Sequence, residues 1–338
     1  MSVFIGYPSF MAYQMMKGNN RFPSIPGMIA RYSALGLTNE QMAANPVWVD
    51  KTGNGHDIQL KNFAWKGMSG VGGYGDENYQ TFYKFTLDDY ALVAIPPGVK
   101  HMNFTFRVTG LQPGNKLILT FFGTTHTTYG IWDKDGIYTV NSEVVEVGKP
   151  VYFYNGYGAT RGEFTIEILP LYPGALVFDG VDDYGVCENF PILTKEKGYT
   201  VVALRQWITR GKKLLGLVSN VKNWFKDGAF LLEYRYIPAD YLNRPISFGA
   251  IGSEMDLPHI LTYQTSKSYN GVSITTGNFE GTDVLHVGKL APTPVGTCIN
   301  AAIWELVFLD HDATEEELTK IKDYFIKTYN YLQTLKAK

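Results

Sequence analysis

Apolar and polar residues alternate along much of this chain with a period of two. Met102, Phe104, Phe106 and Val108 are separated by Asn103, Thr105 and Arg107, and Phe164, Ile166 and Ile168 by Thr165 and Glu167. That period puts one set of side chains on each face of an extended strand. Between the two runs lie Lys116-Leu-Ile-Leu-Thr-Phe-Phe, the Asp135-Gly136 turn and Pro150-Val-Tyr-Phe-Tyr. Strands with turn signals about every ten residues predict a compact antiparallel sandwich over 79–172. Leu169-Pro-Leu-Tyr-Pro-Gly174 closes it as a stiff linker.

Strand patterns flank this unit on both sides. Upstream come Met28-Ile-Ala-Arg-Tyr-Ser33, Val47-Trp-Val and Ile58-Gln-Leu-Lys-Asn-Phe63. Thr38, three residues before Gln41, starts a helical turn that Pro46 ends. Asn54-Gly55 predicts a tight hairpin turn, and the five glycines of residues 67–78 predict a flexible crossover. Downstream, apolar runs resume at Thr200, Lys213, Ala229, His259, Val272, Val284 and Ala301. One helix closes the pattern. Thr314 and Glu317 have capping-box spacing, and Leu318, Ile321, Phe325 and Tyr329 form an inward stripe, with the tail beyond Tyr331 expected to fray.

Composition narrows the function classes. The 338 residues are 45% hydrophobic and 18% charged, with a formal net charge of −2. Such a balance sets aside wholesale disorder, the basic face of a nucleic-acid binder and a polybasic membrane anchor. No run approaches the length of a membrane span. The 23 tyrosines favour strands and supply semi-polar faces suited to sugar stacking or protein contact. Cys187 and Cys298 are too few for a disulfide framework or a metal cluster; a single bridge stays open, and two buried free thiols are the favoured reading. Residues 1–26, with Phe4, Tyr7, Phe10, Met11, Tyr13, Met15 and Met16, cannot form a core, so we expect an arm that docks on a partner. The first residues lack the pattern of a signal peptide, which predicts synthesis and retention in a cytoplasm or exit by lysis.

Three segments carry a resemblance. Asp50, Thr52, Gly53, Asn54, Gly55 and Asp57 spell a D-x-T-G-N-G-x-D turn, and Leu176-Val-Phe-Asp-Gly-Val-Asp-Asp-Tyr184 follows. Ile303, Glu305, Leu306 and Phe308 then precede Thr314, Glu316, Glu317 and Leu318, with Asp310 one place late. In this order they resemble concanavalin-A-like sandwiches of the laminin-G type. The resemblance implies an all-β fold: a laminin-G-like antiparallel sandwich from 27–75 and 174–332, an inserted smaller β-sandwich at 79–172, and one C-terminal helix. The whole chain is also similar to virion-surface proteins of crAss-like gut bacteriophages and related prophages, most strongly at Arg31-Tyr32, 50–63 and 172–207. That similarity implies a head-fibre, tail-fibre or decoration protein located in the virion. It would bind other virion proteins through its arm, present a surface for host glycan or for another virion protein, and form a homo-oligomer such as a trimer.

Chemistry is sparse. Glu254-Met-Asp-Leu-Pro-His259 is the nearest approach to a glycosidase carboxylate pair, but its third carboxylate is missing and Pro258 interrupts the strand. The six histidines lack ligand spacing; His286, in an alternating strand, reads as a satisfied structural residue. We therefore expect a non-enzyme without a cofactor, with a polysaccharide depolymerase and a bacterial glycan-binding adhesin as alternatives. Asp179, Asp182 and Asp183, with Asp50 or Asp57, are candidate calcium ligands, against a plain role in turns. Tyr129, Trp132 and Asp133 form one candidate glycan cluster, and Tyr154, Asn155 and Tyr157 another. Trp65, Trp207, Trp224 and Trp304 are expected in cores.

Overall fold

The computed structural model describes residues 21–74, 82–85, 101–122, 126–143, 151–156, 163–208, 215–228, 231–235, 260–273, 280–289 and 298–336. They fall into two units: one draws on Met1–Trp65, Ser69–Val71 and Pro173–Ala337, the other on Lys66–Met68 and Gly72–Tyr172.

The first unit opens with β1 (Met28–Ser33), α1 (Asn39–Ala44), β2 (Val47–Trp48), β3 (Ile58–Lys61) and β4 (Gly70–Val71). The second unit contributes β5 (Phe82–Phe85), β6 (His101–Thr109), β7 (Lys116–Phe122), β8 (His126–Trp132), β9 (Gly136–Glu143), β10 (Val151–Gly156) and β11 (Phe164–Leu169). The chain then returns to the first unit with β12 (Leu176–Asp179), β13 (Tyr184–Cys187), β14 (Thr200–Trp207), β15 (Leu215–Gly228), β16 (Leu231–Arg235) and β17 (Ile260–Thr265). It ends with β18 (Ser268–Tyr269), β19 (Val272–Ser273), β20 (Glu280–Val287), β21 (Asn300–Leu309) and α2 (Glu315–Lys336).

The first unit is a two-layer antiparallel sandwich. One sheet runs β19-β18-β17-β14-β21-β12-β4, with β1 also on β21; the other runs β16-β15-β20-β13-β3-β2. Tyr32, Phe178, Val201, Ala203, Ile303, Leu306 and Phe308 from one layer meet Trp48, Ile58, Leu60, Leu217, Leu285 and Val287 from the other in one core. Burying each such aliphatic or aromatic side chain contributes about 1.5–3 kcal/mol.

Strand β21 explains its own composition. All but its first residue are buried: one face meets the core, and on the other Glu305 meets Tyr329 of α2. The register of β14 against β21 shifts at Leu204/Arg205, so that Arg205 pairs with Ile303 while Leu204 pairs with Glu305. This bulge lets Ala301 and Ile303, then Leu306 and Phe308, all reach the core. Glu305 is thereby turned to the opposite face, where Tyr329 of α2 donates to it. Helix α2 starts at a reciprocal cap: Glu317 N donates to Thr314 Oγ1 at 3.3 Å, and Thr314 N donates to Glu317 Oε2 at 2.8 Å. Ile321, Phe325 and Tyr329 are buried along its inner stripe.

The second unit has a four-stranded sheet, β5-β11-β6-β9, and a three-stranded one, β10-β7-β8. Met102, Phe104, Phe106, Val108, Phe164, Ile166 and Ile168 pack with Leu117, Leu119, Phe121, Val151 and Phe153, as the alternation requires.

Several local expectations change. Residues 49–57 form a loop rather than a two-residue hairpin; Gly53 and Gly55 have positive φ and Asn54 does not. The Asp50 carboxylate organises it, accepting from Arg31 N at 3.0 Å, Thr52 N at 2.9 Å and Thr52 Oγ1 at 2.7 Å. The glycine-rich crossover contains β4, which pairs with β12. Asn39 Oδ1 accepts from Val71 N at 2.7 Å, and a Cβ at Gly70 would lie 2.5 Å from that oxygen, so glycine is what admits the contact. Helix α2 continues past Tyr331 to Lys336, because Leu332, Leu335 and Lys336 are good helix formers with no breaker among them. Trp207 and Trp304 are buried as expected, whereas Trp65 is only half-buried and stacks on Phe63. The side chain of Trp224 lies outside the described set.

Candidate functional site

In the second unit, the turn that leads from β8 in one sheet to β9 in the other carries the first glycan cluster. Trp132 ends β8, and Asp133, Lys134 and Asp135 make the turn into β9. Asp135 holds that turn in place, accepting from Gly110 N at 2.9 Å and Leu111 N at 2.8 Å. Asp133 is exposed, and Tyr129 and Trp132 are half-buried against the unit's core. The Trp132 ring lies edge-on to Phe106, with centroids 4.9 Å apart. It also lies over Gly130, where a Cβ would stand 2.4 Å from Trp132 Cη2. Glycine at 130 is therefore what lets the indole fold back along its own strand.

Tyr138, which sequence reasoning passed over, completes the group. Its ring is 5.5 Å from Trp132, and its hydroxyl donates to Lys134 O at 2.8 Å. Burial, with the charges of Asp133 and Asp135, pushes its hydroxyl pKa up. The available signal was its place in the strand just beyond the Asp135-Gly136 turn. The β8–β9 turn thus offers partly exposed aromatic surface beside the exposed Asp133 carboxylate, a pairing that suits the apolar face and hydroxyls of a sugar.

Backbone register relates the second glycan cluster to the first. In the sheet β10-β7-β8, Asn155 pairs with Leu117, which pairs with Trp132; Tyr154 pairs with Ile118, which pairs with Ile131. The two clusters therefore belong to the outer strands of one sheet. Ile131 is 56% exposed on it. Tyr157 lies outside the described residues, as do Glu254, Asp256 and His259, and Phe4, Tyr7, Phe10, Met11 and Tyr13 of the arm.

The aspartates converge in the first unit. One carboxylate oxygen from each of Asp179, Asp182 and Asp183 lies within 4.8 Å of the others. Their hydrogen bonds are those of a turn. Asp183 is fully buried; its Oδ1 accepts from Ser69 Oγ at 3.0 Å and its Oδ2 from Asp179 N at 3.0 Å. Asp179 Oδ1 accepts from Val181 N at 2.7 Å. Burial and the charge of Asp179 push the Asp183 carboxyl up to about 7. Asp50 and Asp57 are spent in their own loop, where Asp57 Oδ1 accepts from Asp50 N at 2.8 Å.

His286 corrects an expectation. Its Nδ1 is buried and has no hydrogen-bond partner among the described residues. Burial, with Lys289 nearby, pulls its pKa down to about 4, so the ring is neutral. Cys187 and Cys298 are free and buried, and burial pushes both thiols up to about 11. Among the described residues no helix is long and apolar enough to cross a membrane.

The most heavily satisfied charges were not singled out as a pair beforehand. Arg31 of β1 reaches Glu305 of β21 through Nε and Nη2, each at 3.0 Å, and Tyr329 donates to Glu305 Oε1 at 2.7 Å. Burial pushes the Glu305 carboxyl up, and Arg31 and Tyr329 pull against it. This group binds the sheet to α2.

No family model matches the chain, and no curated protein matches it. Among solved structures, the N-terminal CBM22-1–CBM22-2 tandem domain of Xyn10C from Paenibacillus barcinonensis aligns with 86% of this chain and 99% of its own, at 9% identity and a TM-score of 0.17. A likeness of that size carries no argument, and the two-layer β architecture stands on the strand pairings above.

Proposed function

We propose that this chain is a bacteriophage virion structural protein of the fibre or decoration type. It presents β-sandwich surfaces for binding and has no catalytic role of its own. Its resemblance to virion-surface proteins supports the first part. The observation that carries the second is the β8–β9 turn, where Trp132 and Tyr138 pack side by side next to exposed Asp133. The buried carboxylates support it too: Asp183 and Glu305 are committed to structural partners. On this reading the ligand is a host-surface glycan; of the arm expected over 1–26, Phe22 and Ile25 pack on the chain's own first unit, which leaves residues 1–20 to dock the protein on other virion proteins.

Titration calorimetry with capsular polysaccharide of the host tests the glycan site. Wild type should bind, while Trp132→Ala and Asp133→Asn should weaken binding about tenfold or more, the loss of one stacking or charge-assisted contact. Undiminished binding by both variants would remove the β8–β9 turn from the site. Release of reducing ends during the incubation would instead favour a depolymerase. Deleting residues 2–20 should abolish incorporation into particles, and normal incorporation would dismiss the arm.

A further inference from the structure

We propose that the segment Arg21–Pro26 is a strap that locks helix α2 onto the sandwich, with Phe22 as its clasp. The argument begins at the Arg31 guanidinium. Its edge is committed to Glu305, and Nη2 also donates to Tyr324 Oη at 2.9 Å. Its face is covered by the Phe22 ring, with the guanidinium carbon 4.2 Å from the centroid. Phe22 in turn sits edge-on to Tyr324 of α2 at 4.8 Å and lies 6.3 Å from Phe325. One ring from the strap thus touches both the strand cation and the helix.

The rest of the strap is fastened as well. Ile25 is buried. Gly27 O accepts from Asp310 N at 3.0 Å, at the end of the strand that leads into α2. Gly27 has φ +69°, and a Cβ there would lie 2.1 Å from Asp310 Oδ1, so only glycine lets the chain turn from strap into β1 at this spot.

The physical consequence is a coupling. The Glu305 side chain is wholly buried and that of Arg31 is 15% exposed. With Phe22 seated, water is kept from the guanidinium face and the ion pair acts in a poorly screened setting. With Phe22 withdrawn, water reaches Arg31, the pair weakens, and α2 loses both an aromatic neighbour and part of its charge anchor. The seated strap thus adds to the hold that the buried stripe of α2 and the Tyr329–Glu305 bond already give. Residues 1–20 precede the strap in sequence, so a partner that held them would also pull on it. That last step rests on the arm reading above; the latch itself does not.

Hydrogen–deuterium exchange of the full-length chain tests the latch. In Phe22→Ala, exchange of α2 amides should rise about tenfold, the loss of one partly desolvated cation–π and ring contact, while β14 and β21 stay at wild-type rates. Phe22→Tyr, which keeps the ring face, should remain within about twofold of wild type. Wild-type exchange of α2 in Phe22→Ala would overturn the proposal. So would a rise shared equally by α2 and β21, or equal effects of the two substitutions. The assay uses no particle, so failure of the docking arm and failure of the latch are seen separately.

Discussion

Replacing Arg31 by methionine removes the cation of the buried pair, together with its contacts to Tyr324 and the Phe22 face. The substitution keeps an apolar stem under Phe22 but removes both Arg31 contacts to Glu305, leaving only Tyr329 and weaker neighbours to face that carboxylate. An uncompensated buried charge costs about 3–5 kcal/mol. Glu305 has an escape, because it can take up a proton. From an ordinary glutamate pKa of about 4.3, protonation at pH 7 costs about 3.7 kcal/mol, and at pH 5 about 1 kcal/mol. The stranded-charge part of the Arg31→Met penalty is therefore capped at about 4 kcal/mol at neutral pH and shrinks toward about 1 kcal/mol in acid, while the lost contacts to Tyr324 and Phe22 add a part that does not change with pH. The sign follows from proton uptake. In the variant, folded Glu305 binds a proton that the unfolded chain releases, so the variant gains relative stability as pH falls and loses it as pH rises. The double variant Arg31→Met/Glu305→Met removes the stranded charge and should cost no more than about 2 kcal/mol at either pH. Guanidinium denaturation of the three proteins at both pH values, followed by near-ultraviolet circular dichroism, reads these numbers. Equal penalties for the single variant at pH 5 and 7 would refute the reasoning, as would a double variant no better than the single one.

Other outcomes follow from the same geometry. Asp183, raised to about 7 by burial and Asp179, binds a proton in the folded state that the unfolded chain has lost above about pH 4, so its contribution is fully present below that value and lost as pH rises through about 7. Asp183→Asn should flatten that stretch of a melting-temperature-versus-pH curve; parallel curves would dismiss the shift. Adding calcium or chelator should leave the melting temperature unchanged, and a rise of several degrees with calcium would restore a metal role to Asp179, Asp182 and Asp183. Partial burial lowers the His311 pKa, but its hydrogen bonds to Asp310 and Glu317 prevail and raise it. Its contribution should be present below about pH 6.5 and lost as pH rises through the raised value, so His311→Gln should destabilise by a few tenths of a kcal/mol at pH 5.5 and less at pH 9, measured by chemical denaturation. Gly130→Ala should displace Trp132 and cost about 1–3 kcal/mol, seen as a shift in tryptophan emission and a lower melting temperature; an unchanged spectrum would contradict the close approach.

Local pattern was legible where one rule acts on a few neighbouring residues. The period of two located β6 and β11, and the Thr314–Glu317 spacing located the start of α2. Loop 49–57 was misread because Asn-Gly signals a hairpin locally, whereas Asp50 draws in the Arg31 amide from 19 residues away. The glycines near 70 signalled flexibility until Asn39, 32 residues upstream of Val71, claimed the backbone there. Tyr138 was missed because nothing in its own neighbourhood says that its ring meets Trp132.

The sequence by itself determined the class of the protein: a chain of short antiparallel strands with one capped terminal helix, since alternation and capping depend on residues close together. It also supplied the residues of the candidate surfaces. Only the tertiary structure decided which of them meet. Glu305 reads as a stray charge in an apolar strand until a bulge at Leu204/Arg205 turns it away from the core, toward Arg31 from 274 residues earlier. A one-residue change of register reverses the face of every side chain beyond it. Register is fixed by the packing of whole sheets, so it cannot be read from any one segment.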